Sequence, residues 1–236
     1  MKTKVIAIAL LLLSVFVGGA QAATMLDVPF LYSAVETRAR IIDEQTGQPV
    51  EGAVVVAQWI LRGYWASEYT LHIAEAVTDQ NGEFVIPAWG PKPRWPDTAL
   101  KHFSPQLLIF KHGYKPLWLH NEAIADVAKY VPNYKTMKTK HLIANTNWLK
   151  GAPFDSVQRS MWKGLNIEIE RFSGTSDRWL DLLIDFLRFI REENDKELPG
   201  LFQSLAAERS YFKANPISKY PWHLLNFFDR VDAALK

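Results

Sequence analysis

Arg40-Ile-Ile-Asp-Glu-Gln-Thr-Gly-Gln-Pro-Val-Glu-Gly-Ala53 runs straight into Val54-Val-Val-Ala-Gln-Trp59, and Ala76-Val-Thr-Asp-Gln-Asn-Gly-Glu-Phe-Val-Ile86 follows further on. Each phrase reads as strand, polar turn, strand. Gly47 can take positive φ without steric cost. Pro49 presets an extended φ and removes a donor, which suits the entry to a strand. Asp79 and Asn81 can bond their own backbone two residues on, and Asn81-Gly82 is a strong short hairpin signal. The flanks Ala76-Val-Thr78 and Phe84-Val-Ile86 are β-branched or aromatic, as a half-buried pleated surface prefers. Val54 to Ile60 is apolar on both faces, which predicts a central strand rather than an edge. The expected body is a β-sandwich.

Working outward, strand candidates recur at Ala39–Asp43, Ala53–Ile60, Thr70–Thr78, Glu83–Ile86, Gln106–Phe110 and Lys115–Leu119. Leu165-Asn-Ile-Glu-Ile-Glu-Arg-Phe172 alternates strictly and supplies a seventh, returning strand. The spacing predicts a seven-stranded Greek-key sandwich over 34–119, closed by 164–172. Thr24 to Ser33 is a lead-in without a clear period. Two long loops interrupt the pattern. Leu61 to Tyr69 carries Tyr64 and Trp65, and Pro87 to Pro105 carries Trp89, Arg94 and Trp95. Residues 120–163 read as an irregular excursion, with a helical turn expected at Glu122 to Tyr130.

Residues 173–236 read as helical. Thr175-Ser-Asp177 is a cap and first-turn signal. Trp179, Leu180, Leu182, Leu183, Phe186, Leu187 and Ile190 form an amphipathic stripe. Pro199-Gly200 breaks the chain before a second helix over Leu201 to Phe212, and Pro221 suits the first position of a third. The fold class expected is α+β, with a sandwich followed by a small helical region. The helices must bury their apolar faces, either on the sandwich and one another or on a partner.

Lys2 and Lys4, an apolar run from Val5 to Gly19 and Ala20-Gln-Ala22 have the form of a secretory signal peptide over 1–22. The run is shorter than the roughly 20 apolar residues a spanning helix needs. The expectation is export across the inner membrane to the periplasm, with no membrane span after cleavage. Setting Lys2 and Lys4 aside leaves 25 basic and 25 acidic side chains. That balance argues against a nucleic-acid partner, which calls for a basic face. The absence of cysteine excludes disulfides, thiolate metal sites and a cysteine nucleophile.

The segments Ile42–Ala53, Val77-Thr-Asp-Gln-Asn-Gly-Glu-Phe84 and Lys111-His-Gly-Tyr-Lys-Pro116 resemble the carboxypeptidase regulatory-like domain, a transthyretin-like (prealbumin-type) sandwich. The resemblance spans about residues 38–119, with 165–172 as an addition. It implies a binding or scaffolding module of an exported bacterial protein. The motifs are turn motifs, and a fold does not itself name an activity.

His72-Ile-Ala-Glu75 matches the His-x-x-Glu letters of zinc carboxypeptidases, but residues three apart on a strand face opposite ways. Intradiol ring-cleaving dioxygenases carry a phrase like Gly47–Ala53 and place histidines on a strand comparable to Pro105–Phe110, which here has none. The Tyr-Arg-Gly-Ser-type ending of hydroxyisourate hydrolases is also missing. Asp79-Gln-Asn-Gly82 fits a tight turn better than a calcium loop. His102, His112 and His120 lack metal-ligand spacing. Glu168 and Glu170 share a strand face, where alternating charge deters unwanted pairing. No catalytic residue, metal site or cofactor is therefore assigned. The binding candidates are Tyr64, Trp65, Trp89, Arg94 and Trp95, since rings on loops of a rigid scaffold can stack on a ligand. The expected function is a non-catalytic module that contacts a protein partner in the cell envelope. The alternatives are a glycan or envelope-ligand binder acting through the aromatic loops, and a hydrolase of unrecognised type.

Overall fold

The computed structural model describes residues 30–63, 65, 67–101, 104–121 and 157–236. The leader over 1–22, Tyr64, His102 and the helical turn expected at Glu122 to Tyr130 lie outside the described residues.

The strands are β1 (Leu31–Ala34), β2 (Thr37–Asp43), β3 (Val54–Gly63), β4 (Glu68–Val77), β5 (Glu83–Ile86) and β6 (Trp89–Pro93). They continue with β7 (Thr98–Leu100), β8 (Gln106–Phe110), β9 (Leu117–Leu119), β10 (Val157–Gln158) and β11 (Asn166–Ile169). Three helices follow: α1 (Ser176–Leu187), α2 (Pro199–Ala214) and α3 (Pro221–Ala234), with a 3-10 turn at Glu192–Glu197 between the first two. The chain is thus α+β, with its strands in sheets and its helices at the C-terminal end. No helix among the described residues is long and apolar enough to cross a membrane.

Three sheets form, in the orders β10-β1-β6, β11-β2-β5 and β4-β3-β8-β9, with β7 beside the outer end of β3. Each of the seven stretches expected as strands overlaps one. The expected loop from Leu61 to Tyr69 is corrected: β3 runs on to Gly63 and β4 begins at Glu68, because the two strands stay paired to the tip of their hairpin. The expected loop from Pro87 to Pro105 is corrected: it holds β6 and β7. Pro91 and Pro93 obscure β6 in the sequence because proline cannot donate to a ladder. They are accommodated because β6 is an edge strand paired only to β1, with Tyr32 opposite Lys92. The lead-in likewise contains β1, whose Tyr32 and Ala34 are buried.

Strand β3 explains the doubly apolar run. Val55, Ala57, Trp59 and Leu61 point into a core shared with Ile41, Phe84, Leu107 and Ile167. Val54 and Val56 point the other way, into a second core with Leu108, Trp179, Leu183 and Phe202. The large sheet is therefore buried on both faces, under the smaller sheets on one side and the helices on the other. Fully buried side chains such as Leu183 and Phe202 each contribute about 1.5–3 kcal/mol on removal from water.

Polar locks join the layers. Glu75 on β4 accepts from the Gly200 and Leu201 amides at 2.8 and 3.0 Å, capping α2 from the sheet. Arg230 on α3 makes two 2.8 Å bonds to Asp195 and also donates to the Leu187 carbonyl at the end of α1 and the Ile190 carbonyl just beyond it. Thr175 is the cap residue of α1 and accepts from the Arg178 amide.

The turn phrases lock onto one another as well. The Asp43 carboxylate accepts from the Gln45 and Thr46 amides, from the Tyr114 hydroxyl at 2.8 Å and from Arg171 at 2.7 Å. Burial alone would raise the Asp43 carboxyl, but these hydrogen bonds, the Thr46 amide foremost, outweigh it and bring the pKa down to about 2. Asp79 accepts from the Asn81 and Glu83 amides, the tight turn expected there. Gly82 at φ 73° is required: a Cβ would sit 2.4 Å from the Ile41 carbonyl oxygen.

Candidate ligand cleft

The site grows from the hairpin between β3 and β4. Gly63 donates to the Ser67 carbonyl at 2.8 Å and closes the turn, so Trp65 stands at its tip with 94% of its surface exposed. Strand β7 pairs with the end of β3, placing Thr98 opposite Gly63 and Leu100 opposite Leu61. That pairing brings the turn between β6 and β7 alongside the hairpin. Thr98 donates its hydroxyl to the Trp95 carbonyl at 2.6 Å, and Arg94 donates to the Thr98 carbonyl at 2.7 Å. Asp97 at φ 58° completes the reversal, a conformation that Asp and Asn tolerate better than most residues. Trp95 is left 64% exposed.

The third wall comes from the 3-10 turn. Asn194 donates to the Thr70 hydroxyl at 2.7 Å and holds this segment on β4. Glu193 is gripped by Arg191 through contacts of 2.7 and 3.2 Å. Those hydrogen bonds hold its carboxyl below the usual range. The result is an open cleft of about 780 Å³ lined by Trp65, Tyr69, Trp95, Asp97 and Glu193, within the size range of ligand sites.

Of the residues expected from the sequence to bind, the structure brings Trp65 and Trp95 together on this cleft. Arg94 lies beside it and braces its turn. Trp89 lies elsewhere, on β6 rather than on a loop, and packs edge-on against Trp59 with ring centroids 5.1 Å apart. Beside this pair His72 stacks on Trp59 at 5.4 Å, and its Nδ1 accepts from the Lys92 ammonium at 3.0 Å. Burial first and the Lys92 charge second push the His72 pKa down to about 4. The imidazole is therefore neutral at physiological pH. His72 pairs across from Trp59 and Glu75 from Val56, so the two face different cores. They form no common metal site.

Tyr69, Asp97 and Glu193 escaped the sequence reading. Tyr69 closes the expected loop and is not singled out there, whereas it lies in β4, and Trp95-Pro-Asp97 carries only turn chemistry. Glu193 belongs to a charged run some hundred residues later in the chain. Its arrival on β4 is a consequence of helix docking.

One other pair has acid–base character. His112 Nδ1 lies 2.7 Å from the buried Glu208 carboxylate, whose second oxygen accepts from the Trp179 indole at 2.8 Å. No hydroxyl nucleophile bonds to His112 among the described residues. The trio ties the turn after β8 to α1 and α2.

No family model matches the chain, and no curated protein sequence does. Among solved structures, a 9R-lipoxygenase from Cyanothece PCC8801 matches with a TM-score of 0.20 and 16% identity, over 44% of this chain and 16% of the lipoxygenase. The chain therefore spans about a sixth of the length of that neighbour.

Proposed function

We propose that the chain is a non-catalytic binding module of the cell envelope, exported to the periplasm and built on a transthyretin-like Greek-key sandwich of the carboxypeptidase regulatory-like type. It contacts a protein partner through the cleft. One observation carries this reading: two indoles on different loops stand exposed over one concavity, where folding alone gives them no reason to converge. Exposed tryptophans desolvated on association are typical binding hot spots, each contributing about 2 kcal/mol or more. The leader-like N-terminus supports the compartment. The turn phrases around Gly47, Gly82 and Gly113 support the family.

The open faces of Trp65 and Trp95 also favour a second reading, stacking on sugar rings. A photo-crosslinking residue at position 65 or 95, with one at Asp229 as control, separates the two in cells. The protein reading expects a discrete protein adduct from 65 and 95 that the Asp229 position does not give. The adduct should disappear when the other cleft tryptophan is changed to alanine. Retention on a glycan matrix that Trp65→Ala plus Trp95→Ala abolishes, with no such adduct, would establish the sugar reading instead.

A further inference from the structure

The groups that the cleft leaves unused point to the chemistry of its occupant. The Thr98 hydroxyl donates to the Trp95 carbonyl, and the Thr70 hydroxyl accepts from Asn194. Arg191 is committed to Glu193 and Arg94 to the Thr98 carbonyl. The Asp97 carboxylate makes no hydrogen bond or ion pair among the described residues, and it is exposed at the cleft. Among the described residues, the rings of Trp65, Tyr69 and Trp95 stack on no other ring and carry no cation. What the fold holds ready is thus three aromatic faces and one carboxylate with charge to spare. Arg191 offsets part of the charge of Glu193.

We propose that the cleft takes a cationic side chain of a partner protein, a guanidinium in preference to an ammonium, laid against the Trp65 and Trp95 indoles with Asp97 as its counter-charge. The proposal rests on the cleft being the binding surface. Charge complementarity selects the occupant. A guanidinium only donates hydrogen bonds and a carboxylate only accepts them. The planar guanidinium also stacks on indole faces, which the compact, strongly hydrated ammonium does less well. A neutral sugar needs donors as well as acceptors for its hydroxyls. Among the described lining residues the uncommitted side-chain donors are the Ser67, Tyr69 and Thr70 hydroxyls and the indole N–H groups, none of them charged, and a neutral sugar would leave the spare Asp97 charge unbalanced.

The test follows the indole N–H signals of the full chain by NMR, with Trp65→Phe and Trp95→Phe assigning the two resonances. The probes are acetyl-Gly-Arg-Gly-Arg-Gly-amide, the same peptide with citrulline for arginine, and an oligomer of N-acetylglucosamine. The arginine peptide is expected to shift both resonances. Its dissociation constant should rise about fivefold or more with Asp97→Asn, and by a similar factor between low salt and about 0.5 M salt. Citrulline, uncharged and nearly isosteric, should bind about tenfold more weakly. Asn is tolerated at the positive φ of position 97, so the Asp97→Asn variant keeps its turn. Equal binding of the arginine and citrulline peptides overturns the proposal. So does a shift by the sugar alone, which leaves the cleft as a binding surface. If no probe moves either resonance, the proposal and the cleft reading fall together.

Discussion

The Thr78 side chain is the most economical place to test how the body is held together. It is 3% exposed, just past the end of β4. Its hydroxyl donates to the Val50 carbonyl at 2.6 Å and accepts from the Ala53 amide at 2.8 Å. One oxygen therefore joins the two turn phrases whose reading decides the fold. Thr78→Val keeps the shape and removes both bonds, leaving a donor at fully buried Ala53 and an acceptor at Val50 without that partner. Each unsatisfied buried group costs about 1–3 kcal/mol, so the loss from the two should be about 2–6 kcal/mol. Thr78→Ser keeps the hydroxyl and loses one methyl, worth about 0.8 kcal/mol. Urea denaturation followed by tryptophan fluorescence should show the midpoint falling for the valine variant with m unchanged. Thermal unfolding should drop by about 2–4 °C per kcal/mol for a chain of this size. If the valine variant is as stable as the serine variant, the hydroxyl is not what joins the phrases and the reasoning fails.

Two further outcomes follow from the same kind of geometry. Glu75→Ala removes the cap that the sheet gives α2. It should cost about 1–2 kcal/mol and speed amide exchange at Gly200 and Leu201, while the Ile109 amide in β8 keeps its protection; equal acceleration at both sites would mean that Glu75 does more than dock the helix. The neutral, half-buried His72 makes stability depend on pH. Its folded pKa of about 4 lies below the ordinary 6.5, so the unfolded chain takes up the proton first as pH falls. Its contribution is complete above pH 6.5 and is lost toward pH 4, by at most about 3 kcal/mol. His72→Phe should flatten the stability profile in that window, which denaturation at a series of pH values would show. From about pH 4 down to about 2 the wild-type profile should fall further, because the unfolded chain protonates Asp43 near its ordinary 3.8 while the folded carboxylate holds out to about 2.

Much of the front half was legible because its information is local. Asn81-Gly82, Asp79 and Gly47 specify turns through their own backbone chemistry, and strict alternation marks β11. The strands that escaped notice had their signals masked. In β6 two prolines hide an edge strand, since the reading of proline depends on which side of the strand is left unpaired. Three-residue β7 is too short for any period, and β1 borrows its order from β6 and β10. The stripe from Trp179 to Ile190 announced a buried helix face, but not that the far side of β3 and β8 would cover it.

The cleft divides in the same way. Exposed loop aromatics could be suspected at Trp65 and Trp95, because a large ring flanked by turn residues has no periodic neighbour to bury it. Trp89 looked the same in sequence and lies instead against Trp59. The sequence by itself determined the turns, the alternation and the amphipathic faces, which depend on neighbours within a few residues. Only the tertiary structure decided that Glu193 lines the same cleft as Trp65, and that one indole packs inward while two stand in solvent. Those outcomes depend on which surfaces meet when the helices settle on the sheet, and no local spacing carries that information.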